Sequence, residues 1–273
     1  MAHVRHDHIN KAVTLGGTAL LFFFTSCAAV FGINNPVTGA VGDLGYLAGA
    51  PARINSSSIY PVAGIIGAGL LLYSFDGQIR RIALKNRTSG LDGVSKQVVK
   101  LGNGAYDIAI AGAGALGGYL ASDQKLEDTS FLAMESFLAA NAIGTVGKYV
   151  VGRSRPYTND RKNMFHPFNM KTARTSFPSG HTTSAFSVAA VYAGAYSDSF
   201  WPGAVAYGLA GLVAFQRVYA DKHWASDVFF GAALGTAVGR TVVARAKSKR
   251  PAAISFMPIY APGYAGAIAT RRF

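Results

Sequence analysis

Three short clusters in the chain carry residue types that could handle a phosphate-like anion. In the cluster nearest the C-terminus, Arg217 precedes His223 by six positions and Asp227 follows it by four. Helical positions four apart share a face, so Asp227 is expected to accept the Nδ1 proton of His223 and leave Nε2 as an outward nucleophile. Arg217, at the end of the preceding apolar segment, can fork two N–H groups onto an oxyanion. In the middle cluster, Phe177-Pro178-Ser179-Gly180-His181 opens a helix abruptly, and unpaired N–H groups at such an opening suit a phosphate oxygen. The first cluster sets Lys148 seven positions before Arg155-Pro156, so that two fixed cations meet at a helix end. Taken singly, each has an ordinary explanation: a surface ion pair, a serine cap, or cations complementing a helix dipole.

Taken together and in this order, the clusters are far more specific. Read as K-x6-R-P, P-S-G-H and R-x5-H-x3-D, they make the sequence similar to the type-2 phosphatidic acid phosphatase and vanadium haloperoxidase superfamily, over about Tyr60 to Ala246. One position departs from the pattern, since Gln216 stands before Arg217 where the family usually has serine. The resemblance implies metal-independent hydrolysis of phosphate esters through a phosphohistidine. His223 would be the nucleophile and Asp227 would orient it, while His181 would serve as general acid and then general base. Lys148, Arg155, Ser179, the Gly180 N–H and Arg217 would hold the phosphate oxygens. Three cations supply the neutralisation that other phosphoryl-transfer enzymes take from Mg²⁺, so no metal and no cofactor is expected.

Those clusters must be positioned by apolar helices. Six segments read as helical: Tyr60 to Phe75, Ala105 to Ala121, Ser130 to Val151, His181 to Ser197, Gly203 to Ala220 and Trp224 to Ala246. The expected fold is therefore an all-α bundle of about six core helices. A basic, polar stretch with Arg80, Arg81, Lys85, Arg87, Lys96 and Lys100 separates the first two, and a long basic loop runs from Gly152 to Pro178. Half of the 273 residues are hydrophobic and only 14% are charged, which excludes a disordered chain. The 32 glycines, many beside alanine in apolar stretches, suit helices that approach closely. Cys27 is the only cysteine, so an intramolecular disulfide framework and multi-cysteine metal sites are excluded.

The formal charge of +13 points to anionic partners without choosing among them. Combined with the resemblance and the apolar helices, it favours a phosphorylated lipid and a membrane surface over nucleic acid. Phosphatidate, phosphatidylglycerol phosphate and polyprenyl diphosphate are the substrate types expected. An exported acid phosphatase for small soluble phosphomonoesters is the alternative, followed by a vanadium-dependent haloperoxidase.

Four regions are expected along the chain. Residues 1–29 read as a signal peptide or N-terminal anchor, with an apolar run at Ala12 to Phe24, a small-x-small site at Ser26-Cys27-Ala28, and Cys27 as a lipidation option. Residues 30–59, rich in Gly, Pro, Asn and Ser, read as a linker or irregular cap. Residues 60–246 form the phosphatase helical domain, and residues 247–273 a tail with the alternation of a hairpin. Membrane crossing is ambiguous because Tyr60 to Phe75 is short and charges lie in or at the ends of other segments. An exporting N-terminus also collides with an outward-facing site on six spanning segments. Either that segment is not a simple signal or the bundle lies wholly in the exported compartment, and the reading leans to the latter. The basic run Arg245, Lys247, Lys249 and Arg250 argues the other way, as a cytoplasmic flank.

Overall fold

The computed structural model describes residues 36–53, 55–248, 254–261 and 264–271. The expectations for residues 1–29, including Cys27, lie outside the described residues. Eight α-helices occur among those described: α1 (Pro36–Ala48), α2 (Ser56–Lys85), α3 (Ser89–Val98), α4 (Gly104–Leu120), α5 (Gln124–Val151), α6 (Gly180–Ala195), α7 (Phe200–Tyr219) and α8 (Ala225–Ser248). The all-α bundle expected from the apolar segments is present.

Side-chain caps fix several starts. Thr88 accepts from Leu91 N, Asn103 from Ala105 N and Asp123 from Leu126 N, each satisfying a backbone donor that the first turn leaves open. The stop of α5 is set by Gly152 at φ +59, where a Cβ would lie 1.8 Å from the His166 carbonyl oxygen. Only glycine fits there, and the chain turns directly into the long loop.

Within the unit Ala40–Val243, small side chains let the helices close up. Ala139 and Ala140 of α5 pack with Val238 and Val242 of α8, and Ala185 and Ala189 of α6 with Ala210 and Val213 of α7. Gly231, Gly235 and Gly239 run along α8 against α6; a Cβ on Gly235 would meet the Thr183 carbonyl oxygen at 2.3 Å. Buried hydroxyls of α6 bond back along the helix, Thr183 to Ser179 O and Ser184 to Gly180 O. The centre of the bundle is therefore polar without leaving these groups unpaired.

Three expectations need correction. Residues 30–59 are not an irregular linker throughout, because α1 and the start of α2 lie there; Pro36 opens α1, where a missing N–H costs nothing. The first core helix does not end at Phe75 but runs 30 residues to Lys85, past Asp76, Arg80 and Arg81. The stretch after it contains a further helix, α3. The tail does form the hairpin its alternation suggested: β1 (Ile254–Ala261) pairs antiparallel with β2 (Tyr264–Arg271).

The longer α2 alters the membrane reading. α2 from Ser58 and α8 are both long and apolar enough to cross a membrane, and only 6% of the apolar window of α2 is buried. Leu70 and Leu71 are 61% and 64% exposed, and Phe200, Trp201 and Phe215 of α7 are similarly bare. So much large apolar surface is expected of a chain that meets lipid.

Candidate active site

The bundle brings the three sequence clusters to one place. Lys148, in the last turn of α5, donates to the Pro178 carbonyl oxygen, and a Cβ on Gly180 would lie 3.6 Å from its Nζ. Lys148, Arg155 and Arg217 stand near enough to His181 and His223 for their charges to act on both imidazoles. Side chains spread over more than seventy positions thus stand within electrostatic reach of the two imidazoles.

Each is fixed by its local chain. Arg155 follows the α5 stop; its backbone N–H donates to Ala173 O and its Nη2 reaches Thr175. Arg217 lies in the last turn of α7, and its carbonyl oxygen accepts from the backbone N–H groups of Lys222 and His223. That double acceptance folds residues 220–224 into a tight turn and hangs His223 beside Arg217. Ser179 is fully buried, donates its backbone N–H to Asp227 O, and places its Oγ 2.9 Å from Thr182 Oγ1. Its hydroxyl does not cap α6.

The side-chain Nε atoms of Arg155 and Arg217 are buried and have no hydrogen-bond partner among the described residues. A guanidinium N–H removed from water and left unpaired is costly, and an oxyanion between the two arginines would satisfy both. Burial, with the charges of Arg155, Lys148 and Arg217, holds His223 well below the usual histidine range. Burial also lowers Arg155. His223 is therefore neutral at pH 7, the state a nucleophile requires.

The role expected of Asp227 is corrected in its geometry. α8 begins at Ala225, so His223 precedes the helix and the four-residue spacing does not bring the two side chains onto one face. His223 Nδ1 instead lies 2.7 Å from the carbonyl oxygen of Ser176. A carbonyl only accepts, so Nδ1 carries the proton and Nε2 keeps its lone pair. Asp227 acts one step away. Its carboxylate accepts from Ser176 Oγ at 2.6 Å, from Trp224 N at 3.0 Å and from Arg153 Nη1 at 2.7 Å.

Sequence reasoning passed over Arg153, Asp76, Ser176 and Ser226. Arg153 looked like one of several loop cations, yet it is 2% exposed and ion-paired to both Asp76 and Asp227. The available signal was Asp76, an isolated acid after a long apolar run, which calls for a partner. Gln216 donates to Ser95 Oγ of α3 at 3.0 Å and accepts from Arg217 Nη1 at 3.2 Å. The departure from the expected pattern thus ties α3 to Arg217. Among the described residues, no group of three or more His, Cys, Asp and Glu is placed to hold a metal ion.

Residues 130–250 match the family model described as the PAP2 superfamily. Over 94 residues the chain is 39% identical to a lipid A 1-phosphatase from Porphyromonas gingivalis, covering 34% of this chain and 18% of the relative. Over 101 residues it is 35% identical to an undecaprenyl-diphosphatase from Sulfolobus acidocaldarius, covering 37% of this chain and 47% of the relative. The matches thus span less than half the length of either relative. The fold resembles the crystal structure of a transmembrane PAP2-type phosphatidylglycerolphosphate phosphatase from Bacillus subtilis, with a TM-score of 0.53 and 24% identity over 70% of this chain and 98% of that one.

Proposed function

Because residues 130–250 match the family model of the PAP2 superfamily, we propose that this protein is a membrane-embedded, metal-independent phosphatase that hydrolyses a lipid phosphate or diphosphate ester through a phosphohistidine. The observation that carries the reading is the pair of buried, unpartnered Nε donors on Arg155 and Arg217, set beside Lys148, His181 and His223.

In this reading the phosphate oxygens lie among Lys148, Arg155, Arg217, the Ser179 hydroxyl and the Gly180 N–H. His223 Nε2 attacks phosphorus in line while the Ser176 carbonyl holds the Nδ1 proton and steadies the imidazolium that forms. His181 gives a proton to the departing ester oxygen and then takes one from the water that cleaves the phosphohistidine. The products are an alcohol, or a lipid monophosphate from a diphosphate, and inorganic phosphate.

Support for a lipid rather than a soluble ester comes from the bare apolar faces of α2 and α7 and from relatives named for lipid A and undecaprenyl diphosphate. The reading puts the site on the exported side of the spanning segments, which requires that the apolar run at residues 12–24 is not a simple export signal. Reporter fusions near residues 90 and 126 test that sidedness; an outward site puts the first outside and the second inside.

The test of the chemistry is phosphate release from a panel of lipid and soluble phosphates in EDTA, wild type against His223→Ala. Acid-quench trapping of labelled phosphoprotein accompanies it. Release and labelling by wild type alone are expected; equal activity in both proteins rejects the nucleophile.

A further inference from the structure

Over most of its length α2 faces outward, yet Asp76 near its C-terminal third points inward and is 1% exposed. Its carboxylate is fully engaged. Oδ2 accepts from Arg153 Nη2 at 2.8 Å and from Ser226 Oγ at 2.6 Å, and Oδ1 accepts from Ser226 N at 2.9 Å. Arg153 Nη1 reaches Ser226 Oγ and Asp227 Oδ1 at 2.8 and 2.7 Å. From Asp227 the contacts pass through Ser176 Oγ to the residue whose carbonyl meets His223 Nδ1. None of Asp76, Arg153, Ser226, Asp227 and Ser176 shares a side-chain hydrogen bond with Lys148, Arg155 or Arg217, whose partners are Pro178, Thr175 and Gln216.

We infer that Asp76 is a positioning residue for His223, acting through Arg153 and Asp227 on the Ser176 carbonyl. The inference deepens the phosphatase reading and rests on it for its kinetic consequence. The reasoning is a matter of competition for one guanidinium. With Asp76 in place, Arg153 gives one nitrogen to each carboxylate, and Asp227 keeps its other oxygen for Ser176 Oγ and Trp224 N. Without the Asp76 charge, both nitrogens of Arg153 are free to turn onto Asp227. That would draw the carboxylate away from Ser176 and shift the carbonyl that fixes the His223 tautomer. Misplacing a nucleophile by about 1 Å costs on the order of 10²-fold in rate. The cations that bind the anion are not moved. The effect therefore falls on kcat and on the affinity for the transition-state mimic vanadate, with KM left near its wild-type value.

The experiment uses the full chain in detergent or bilayer with Asp76→Asn, Asp76→Glu and Ser176→Ala. Three readouts are taken: kcat and KM for the best substrate of the panel, inhibition by orthovanadate, and ¹⁵N chemical shifts of His223 assigned by comparison with His223→Ala. Expected for Asp76→Asn is a kcat about 10²-fold lower with KM within about threefold of wild type, and weaker inhibition by vanadate, whose pentacoordinate form needs the same placement of His223 Nε2. Partial recovery is expected in Asp76→Glu, together with loss of the single Nδ1-protonated signature in Asp76→Asn. Ser176→Ala keeps the carbonyl and buries no new charge, so it should fold, show the same loss in kcat, and add nothing when combined with Asp76→Asn. Unchanged His223 shifts in Asp76→Asn and Ser176→Ala, or additive losses in the double variant, overturn the inference. Where Asp76→Asn fails to fold, Ser176→Ala alone decides by the same shifts. Wild type silent on every substrate sinks the phosphatase reading, while the His223 shifts still report on the coupling.

Discussion

His223 Nδ1 lies 2.7 Å from the carbonyl oxygen of Ser176, a residue 47 positions earlier in the chain. The nucleophile of the proposed reaction is thus oriented by a backbone group at the end of the long loop, and the carboxylate nearest in sequence works indirectly through that loop.

Burial and three nearby cations hold His223 well below its ordinary range, and this sets a sign for stability against pH. Above the unfolded value of about 6.5 both states carry a neutral imidazole; as pH falls through it, the unfolded chain takes up a proton that the folded one refuses. The contribution is therefore present at pH 7.5 and lost toward pH 5.5. Thermal unfolding in phosphate-free buffer should show a smaller fall in Tm over that interval for His223→Gln than for wild type. An equal or larger fall in the variant contradicts the neutral assignment.

Arg155 and Arg217 each have a buried Nε without a hydrogen-bond partner among the described residues, which the proposed reaction assigns to the phosphate oxygens. Replacing either by alanine should lower kcat by about 10²- to 10³-fold, or roughly 3–4 kcal/mol of transition-state stabilisation. Lysine cannot reproduce the planar fork, so Arg217→Lys should recover only a small part. Steady-state kinetics with the best panel substrate decide this, and a fully active lysine variant would show that charge alone suffices.

Gln216 links Ser95 of α3 to Arg217. A serine at position 216 is too short to reach both partners, so Gln216→Ser should reduce kcat/KM by about tenfold, equivalent to ~1.4 kcal/mol. Ser95→Ala should act in the same direction and less strongly. Wild-type kinetics in Gln216→Ser would leave the glutamine without a role at the site.

Gly235 lets α8 lie against the backbone of α6, where a Cβ would stand 2.3 Å from Thr183 O. Gly235→Ala should destabilise by about 1–3 kcal/mol through overpacking, with larger residues preventing assembly. A thermal shift assay and gel filtration of the variant measure this. Gly211 has open space around its Cβ position and serves as the control, with little change expected on substitution by alanine.

Much of this was legible from residues alone. Lys148, His181 and Arg217 lie at helix ends and Arg155 in the loop beside one, as the local spacing suggested, because such motifs encode starts and stops that the chain reads over a few residues; His223 does not share a helix face with Asp227. The α5 stop at Gly152 and the opening of α6 at Gly180 are of this kind. α3 and the continuation of α2 to Lys85 were not legible: α3 is only ten residues long and polar on average although Leu91, Val94 and Val98 share a face, and the end of α2 carries Asp76, Arg80, Arg81 and Lys85. The inward turn of Asp76 and the burial of Arg153 were hidden for another reason: their partners lie 77 and 150 positions away.

The sequence by itself determined the chemistry available here: which cations, imidazoles and N–H groups exist, and the short spacings that expose them at helix termini. Only the tertiary structure decided which acceptor holds the Nδ1 proton of His223. A turn tied to the Arg217 carbonyl takes His223 off α8, so the rule of four-residue spacing no longer governs it. Helical periodicity acts along one segment. The contacts among Asp76, Arg153, Asp227, Ser176 and His223 exist because packing brings distant segments together, and no local pattern records them.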